Sequence, residues 1–248
     1  MTMKPKYFEP IRSKAVKRWK QLEKDPDLAG PWHQLFRQVQ SPRHVLSELL
    51  QNADDAGAKS ASAWVENQVF CFEHDGEDFT EEHFKSLCRF GYSNKRTLHT
   101  IGFRGIGFKS TFSLGDCVEL FTPTLAVCFY RNHFSEPCWL AQQTTTDGKT
   151  RIRIQMRDHI QTEVETNFKQ WLTSPLSLLF CRNIRQLRIG DRDVHWVSLR
   201  PGPIPDSKWM VLSGQKDSEF LLIDSPPEDF PEEALQEIKE ERSLTVGE

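Results

Sequence analysis

Residues 48–56 read Glu48-Leu49-Leu50-Gln51-Asn52-Ala53-Asp54-Asp55-Ala56. At about 100° per residue, Glu48, Asn52 and Asp55 stand at i, i+4 and i+7 and fall within about 60° of one another on a helix. A carboxylate, a carboxamide and a second carboxylate then share one face, which is the outline of a magnesium and nucleotide site. Val45, Leu46, Leu49, Leu50, Ala53 and Ala56 form the opposite, core-facing stripe. Ser41 is placed to cap this helix, Pro42 suits its first turn, and Gly57 suits its end.

Downstream, 61–66 and 69–73 are β-type runs around Asn67-Gln68, the pattern of a hairpin whose second strand ends in His74-Asp75-Gly76. A helix follows with a clear start: Thr80 can cap it, Glu81 and Glu82 suit the positive end of its dipole, and Phe79 and Phe84 sit at staple positions. Gly91 is the expected stop. Residues 92–100 are polar and aperiodic, and Gly102-Phe103-Arg104-Gly105-Ile106-Gly107-Phe108-Lys109-Ser110 comes next. Three closely spaced glycines free a backbone to turn its amides toward an anion, and a helix opening there adds its dipole. The order is not the dinucleotide fingerprint, and Phe108 breaks the match to a Walker loop. A short helix is expected to run from this segment to Gly115.

Strands are expected over 117–121, 125–130, 150–156 and 184–189, and a helix over 164–180. Two helical stretches, 11–24 and 32–39, precede the motif helix. Mixed helices and hairpins, without regular βαβ units, make the class α+β. Prolines and acids accumulate from Pro201, and 231–242 has the pattern of an acidic amphipathic helix. The last residues carry no helix stop, as expected for the leading piece of a longer polypeptide.

The 248 residues are 38% hydrophobic and 27% charged, with formal net charge -3, values of a globular chain with one large domain plus appendages. That balance argues against a generally basic nucleic-acid binder. No run approaches the roughly 20 apolar residues of a membrane span, and the first residues lack the apolar core of a signal peptide, so an intracellular, cytoplasmic protein without a membrane partner is expected. The six cysteines are scattered without a Cys-x-x-Cys pair and are expected to be reduced core residues. Nothing in the sequence has the context of a covalent catalytic set.

Each segment alone has a plain reading: a solvated helix face, a strand-end turn, a tight glycine turn. Their order is more informative. The helix motif, Asp75-Gly76 after a strand, a loop with Ser93-Asn94-Lys95, and the glycine-rich segment together resemble the GHKL ATPase superfamily of gyrase B, the ninety-kilodalton heat-shock chaperone, histidine kinases and MutL. His74-Asp75-Gly76-Glu77-Asp78-Phe79-Thr80 and Ile101 to Ser110 are most similar to its sacsin-like branch. The resemblance covers residues 32–199 and is most specific over 41–110.

What the resemblance implies is a Bergerat-type two-layer α/β sandwich, with a mixed, mostly antiparallel sheet and helices on one face. Glu48 would be the catalytic general base and Asn52 the magnesium ligand. Asp75 would receive the adenine amino group, with Gly76 beside it and Thr150 near the aspartate. Gly102, Gly105 and Gly107 would turn amides toward phosphates, Lys95 and Lys109 would supply countercharge, and Asp55, Ile106, Phe108 and Ser110 complete the nucleotide-binding positions. Two departures stand out. Many relatives have Asp-x-Gly-x-Gly where this chain has Asp75-Gly76-Glu77-Asp78-Phe79, and Lys149 separates Gly148 from Thr150.

The expected organisation is an amino-terminal helical arm (1–31), an ATP-binding domain (32–200) and an acidic extension (201–248) that opens a further domain. The expected function is slow, Mg2+-dependent hydrolysis of ATP to ADP and phosphate, with 92–106 as a lid. This would serve as a conformational switch for further domains or partner proteins in a chaperone-like, nucleic-acid-processing or defence system, with a nucleotide-dependent homodimer among its partners. Two alternatives stay open: a nucleotide-gated scaffold with little turnover, and a nucleic-acid-interacting module using Arg151, Arg153 and Arg157, joined by Arg182, Arg185 and Arg188. No phosphoacceptor helix or receiver accompanies the motifs, which disfavours a histidine kinase.

Overall fold

The computed structural model describes residues 3–25, 27, 30, 41–89, 107–141, 147–213 and 218–223. It is a mixed α/β protein with a large, open, mostly antiparallel sheet and helices. Two compact units divide the chain: Met1–Val197 with Leu212–Ser218, and Ser198–Val211 with Glu219–Glu248.

In the first unit the chain runs from helix α1 (Phe8–Lys24) through a short 3-10 turn (Pro42–His44) into α2 (Val45–Asp55). The hairpin β1 (Ser60–Glu66) and β2 (Val69–His74) follows, then α3 (Glu81–Leu87) and a 3-10 helix (Gly107–Ser113). Next are β3 (Cys117–Phe121), β4 (Ala126–Tyr130), β5 (His133–Trp139) and β6 (Thr150–Gln155). Helix α4 (Gln161–Thr173), a 3-10 segment (Pro175–Phe180), β7 (Gln186–Ile189) and the first part of β8 (Arg192–Pro201) complete it. The order across the sheet is β8-β7-β1-β2-β6-β3-β4-β5, and β1 with β7 is a parallel pair.

Asn67 and Gln68 both take positive φ, 50° and 61°, as the two-residue turn of a twisted hairpin requires. Register then builds rows across the sheet. Ala63, Phe72, Ile152, Leu120 and Val127 oppose one another in one row, and Val65, Phe70, Ile154, Val118 and Phe129 in the next. All of these but Val65 are at most 5% exposed. Helix α2 presents buried Val45, Leu46, Leu49, Leu50 and Ala53, and Phe168 of α4 meets Phe70 with ring centroids 6.1 Å apart. The opposite face carries Trp64, Cys71, Arg153, Glu119, Cys128 and Cys138 in one register row.

Helix α1 lies along β5. Its stripe Phe8, Ile11, Ala15, Trp19 and Leu22 is buried, and the Trp19 indole N–H donates to Ser135 Oγ at 3.0 Å. The expected helix over 164–180 is two segments, because Pro175 cannot continue α4. The short helix expected before Gly115 is the 3-10 helix Gly107–Ser113. The second unit holds the end of β8, most of β9 (Ser207–Ser213) and β10 (Ser218–Ile223). The expected elements over 32–39 and 231–242 and the stop at Gly91 lie outside the described residues.

Candidate functional site

Helix α2 is preceded by Ser41 in an extended conformation, which makes no side-chain capping bond, so the entry is set by Pro42 and the 3-10 turn. Its exit is firmer. Gly57 has φ +74°, its N–H donates to Asp54 O at 2.9 Å, and Ala58 N–H donates to Ala53 O at 3.0 Å. This is the paired-bond glycine stop expected at that position. Ala56 caps the helix and is partly exposed, so the buried stripe ends at Ala53.

Glu48, Asn52 and Asp55 are each partly buried on α2. Gly107, the first residue of the 3-10 helix, packs directly on the first two: a Cβ added there would overlap Glu48 Oε2 and would lie 3.7 Å from Asn52 Nδ2. Only glycine leaves the Glu48 carboxylate where it is. The other end of α2 meets the aspartate turn, since a Cβ at Gly76 would lie 2.8 Å from Ala56 O, the same carbonyl that accepts from Glu77 N–H at 2.8 Å. One helix thus carries the glycine segment against its middle and the Asp75-Gly76 turn against its end.

The Asp75 carboxylate is held by three donors: Lys59 N–H (2.7 Å) and Ser60 N–H (2.9 Å) on Oδ1, and the Ser60 hydroxyl (2.8 Å) on Oδ2. Burial raises its pKa, but the bonds from Ser60 and Lys59 outweigh burial and hold the carboxyl below its ordinary value. A carboxylate has about four lone-pair sites, so acceptor capacity remains on this exposed, oriented group. His74 precedes it, accepting from Gly76 N–H at Nδ1 (3.1 Å), and burial pushes its imidazole down to about 4 against the pull of Asp75 and Glu73. Thr150 stands opposite His74 in the β2–β6 register. It is 2% exposed, and its Oγ1 has no hydrogen-bond partner among the described residues.

Three other positions fall elsewhere. Lys109 is fully buried and donates to Leu87 O (2.6 Å) and Phe134 O (3.0 Å), with burial lowering its pKa to about 8. Lys109, the expected phosphate countercharge, cross-braces the interior through these two carbonyls. Phe108 packs edge-on to Phe129 at 5.8 Å, and Ser110 is buried. Lys95, Gly102, Gly105 and Ile106, with the rest of the lid 92–106, lie outside the described residues.

Two residues had no role in the sequence reading. Asp54, 4% exposed, accepts from the backbone N–H groups of Arg182 (2.9 Å), Asn183 (2.7 Å) and Ile184 (2.9 Å), tying α2 to the segment before β7. Glu73 accepts from Lys149 at 2.8 Å and from Arg151 Nε at 2.7 Å. Burial raises Glu73, and those partners more than reverse it.

The basic strand face is charge-compensated. Arg151 binds Glu73, Arg153 lies 3.5 Å from Glu119, and Arg157 lies 3.0 Å from Asp116 while donating to Ser113 O at 2.6 Å. Arg185 stacks on Trp196 at 3.7 Å and donates to the carbonyls of Arg182 and Ile184.

No family model and no curated protein matches the chain. Among the described residues no helix is long and apolar enough to cross a membrane, and no group of three or more His, Cys, Asp and Glu is placed to hold a metal ion.

Proposed function

We propose that residues 32–200 form a Bergerat-type nucleotide domain that binds ATP with Mg2+ and hydrolyses it slowly to ADP and phosphate, as a switch for further domains or partner proteins. The observation that carries this reading is the seating of Gly107 on Glu48 and Asn52, with the same helix buttressing Asp75-Gly76. Residues 20 to 60 positions apart in sequence converge on one helix in the order the resemblance implies. The residues present fit such a ligand: Thr150 has an unspent buried hydroxyl, Asp75 an oriented carboxylate with spare acceptor capacity, and Gly107 a cradle that a side chain would fill.

Bound Mg-ATP would supply the phosphoanhydride and a cation that offsets its charge. The protein's own work is then divided along α2. Asp75 accepts the exocyclic amine of adenine with the lone pair that Lys59 and Ser60 leave open. Thr150 adds a hydroxyl from the neighbouring strand. Asn52 offers the metal a neutral amide oxygen, in keeping with the few protein ligands magnesium takes. Glu48 orients a water and accepts its proton, a general-base role that contributes typically 10²–10⁴-fold.

Phosphate release is the direct test, with Glu48→Ala as control. Turnover that disappears in the variant, with ATP affinity within a few-fold of the parent, supports the reading. A parent that binds ATP without releasing phosphate would favour the gated scaffold. The nucleic-acid alternative gains no support, because Arg151, Arg153 and Arg157 each face a carboxylate.

A further inference from the structure

The sheet face opposite α2 carries four of the chain's six free cysteines, and three of them, Cys117, Cys128 and Cys138, sit together on the adjacent strands β3, β4 and β5. Cys128 of β4 is directly opposed to Cys138 of β5, and Cys117 of β3 is opposed to Tyr130. The ladder shifts register between Cys128 and Tyr130, the kind of local irregularity that re-aims side chains. Cys117, Tyr130 and Cys138 border Cys128 on this face. Cys128 is 2% exposed, flanked by partly exposed Cys117 and Cys138.

We propose that Cys128 and Cys138 are a peroxide-responsive modification site, closing to a reversible cross-strand disulfide while Cys117 stays a thiol. Geometry selects the pair. Directly opposed residues of an antiparallel ladder have Cα atoms about 4.5–5.5 Å apart, inside the roughly 4.4–6.8 Å that a disulfide spans. Cys117 is diagonal to Cys128, because Glu119 is its direct partner. Diagonal neighbours are about 7–8 Å apart, at or beyond what a disulfide bridges without backbone movement.

The surroundings favour reaction at Cys128. Its neighbours Cys117, Tyr130 and Cys138, Cys117 foremost, hold the Cys128 thiol below its ordinary value despite burial, and Cys128 in turn pushes Cys117 up. Burial raises Cys138. Glu119 on the same row opposes thiolate formation but is itself paired with Arg153 at 3.5 Å. A thiolate supported by donors is the nucleophilic form of cysteine.

The chemistry balances with a hydroperoxide as oxidant. One thiolate of the pair attacks a peroxide oxygen: an S–O bond forms, the O–O bond breaks, and the hydroxide released takes up a proton to become water. The second sulfur then attacks the sulfenic sulfur, forming S–S and breaking S–O, and its proton leaves with the second hydroxide as water. Two thiols lose two electrons to one peroxide, and a dithiol reverses the step.

The test treats the full chain with hydrogen peroxide, alkylates remaining thiols, and maps linkages by tandem mass spectrometry. The expected result is a fall from six reactive thiols to four, with a reducible bridge between Cys128 and Cys138. Cys138→Ser, at a partly exposed position, should abolish that bridge. Cys117→Ser should keep the bridge but form it more slowly, since the neighbour that most lowers Cys128 is replaced. Circular dichroism checks that each variant is folded. Six thiols left intact, a bridge on Cys117 that survives in Cys138→Ser, or oxygen addition to Cys128 with no bridge would each overturn the proposal.

Discussion

A methyl group at position 107 would collide with Glu48 Oε2, so Gly107→Ala should act on Glu48 rather than on folding. Phosphate release is predicted to fall by about 10²-fold or more, the scale of a displaced general base, with the melting temperature little changed. Parent-like turnover in that variant would separate Gly107 from the chemistry. His74 gives a prediction in pH. Its imidazole titrates at about 4 in the folded protein and near 6.5 when unfolded, so between those values the unfolded chain holds the extra proton. Stability from this group is complete above about pH 6.5 and is lost as pH falls toward 4, by roughly 3 kcal/mol in all. His74→Asn keeps an acceptor for Gly76 N–H and does not titrate. Urea denaturation at a series of pH values should show a flatter profile in that variant over this window. An identical slope would assign the acid sensitivity to other groups.

At the scale of elements, Asp54 links the end of α2 to the chain before β7 through three backbone N–H groups. Removing a charged acceptor from several buried donors is costly, and Asp54→Ala is predicted to lose roughly 3 kcal/mol or more, measured as a drop in the urea midpoint at constant slope. A change below 1 kcal/mol would mean that water replaces the carboxylate at little cost. The sequence distinguishes Asp54 from Asp55 poorly, because the partners that bury Asp54 are about 130 positions away. Helix α2 itself was legible, since periodicity, Pro42 and Gly57 are local signals. So was the first hairpin, fixed by its turn. Strand β5 was not: Pro137 interrupts its pattern, and it is tolerated because β5 is outermost in the strand order. The split of the helix after residue 161 was there to be read in Pro175, and apolar periodicity through Leu176, Leu178 and Leu179 obscured it.

At the scale of the molecule, the mixed class and mostly antiparallel sheet follow from alternating runs and hairpins, whereas strand order depends on long-range pairing that no local pattern records. The same limit hid the thiol row, which only register assembles, and the fate of Lys109, whose partners Leu87 and Phe134 lie on separate elements. The residues of the proposed site lie on a few short motifs. Glu48, Asn52 and Gly107 are brought together, Asp75-Gly76 is docked on the same helix, and Thr150 is set beside the aspartate's strand. On the proposed reading labour is divided along α2, with adenine recognition at Asp75 and water activation at Glu48. Calorimetric titration of ATP with Mg2+ into the parent, Asp75→Asn and Glu48→Ala proteins, each checked for folding, measures it most directly. Binding should weaken by about 1–3 kcal/mol in Asp75→Asn through an unpaired group and stay within a few-fold in Glu48→Ala. Equal loss of ATP binding in both variants, or no binding by the parent, would contradict the account.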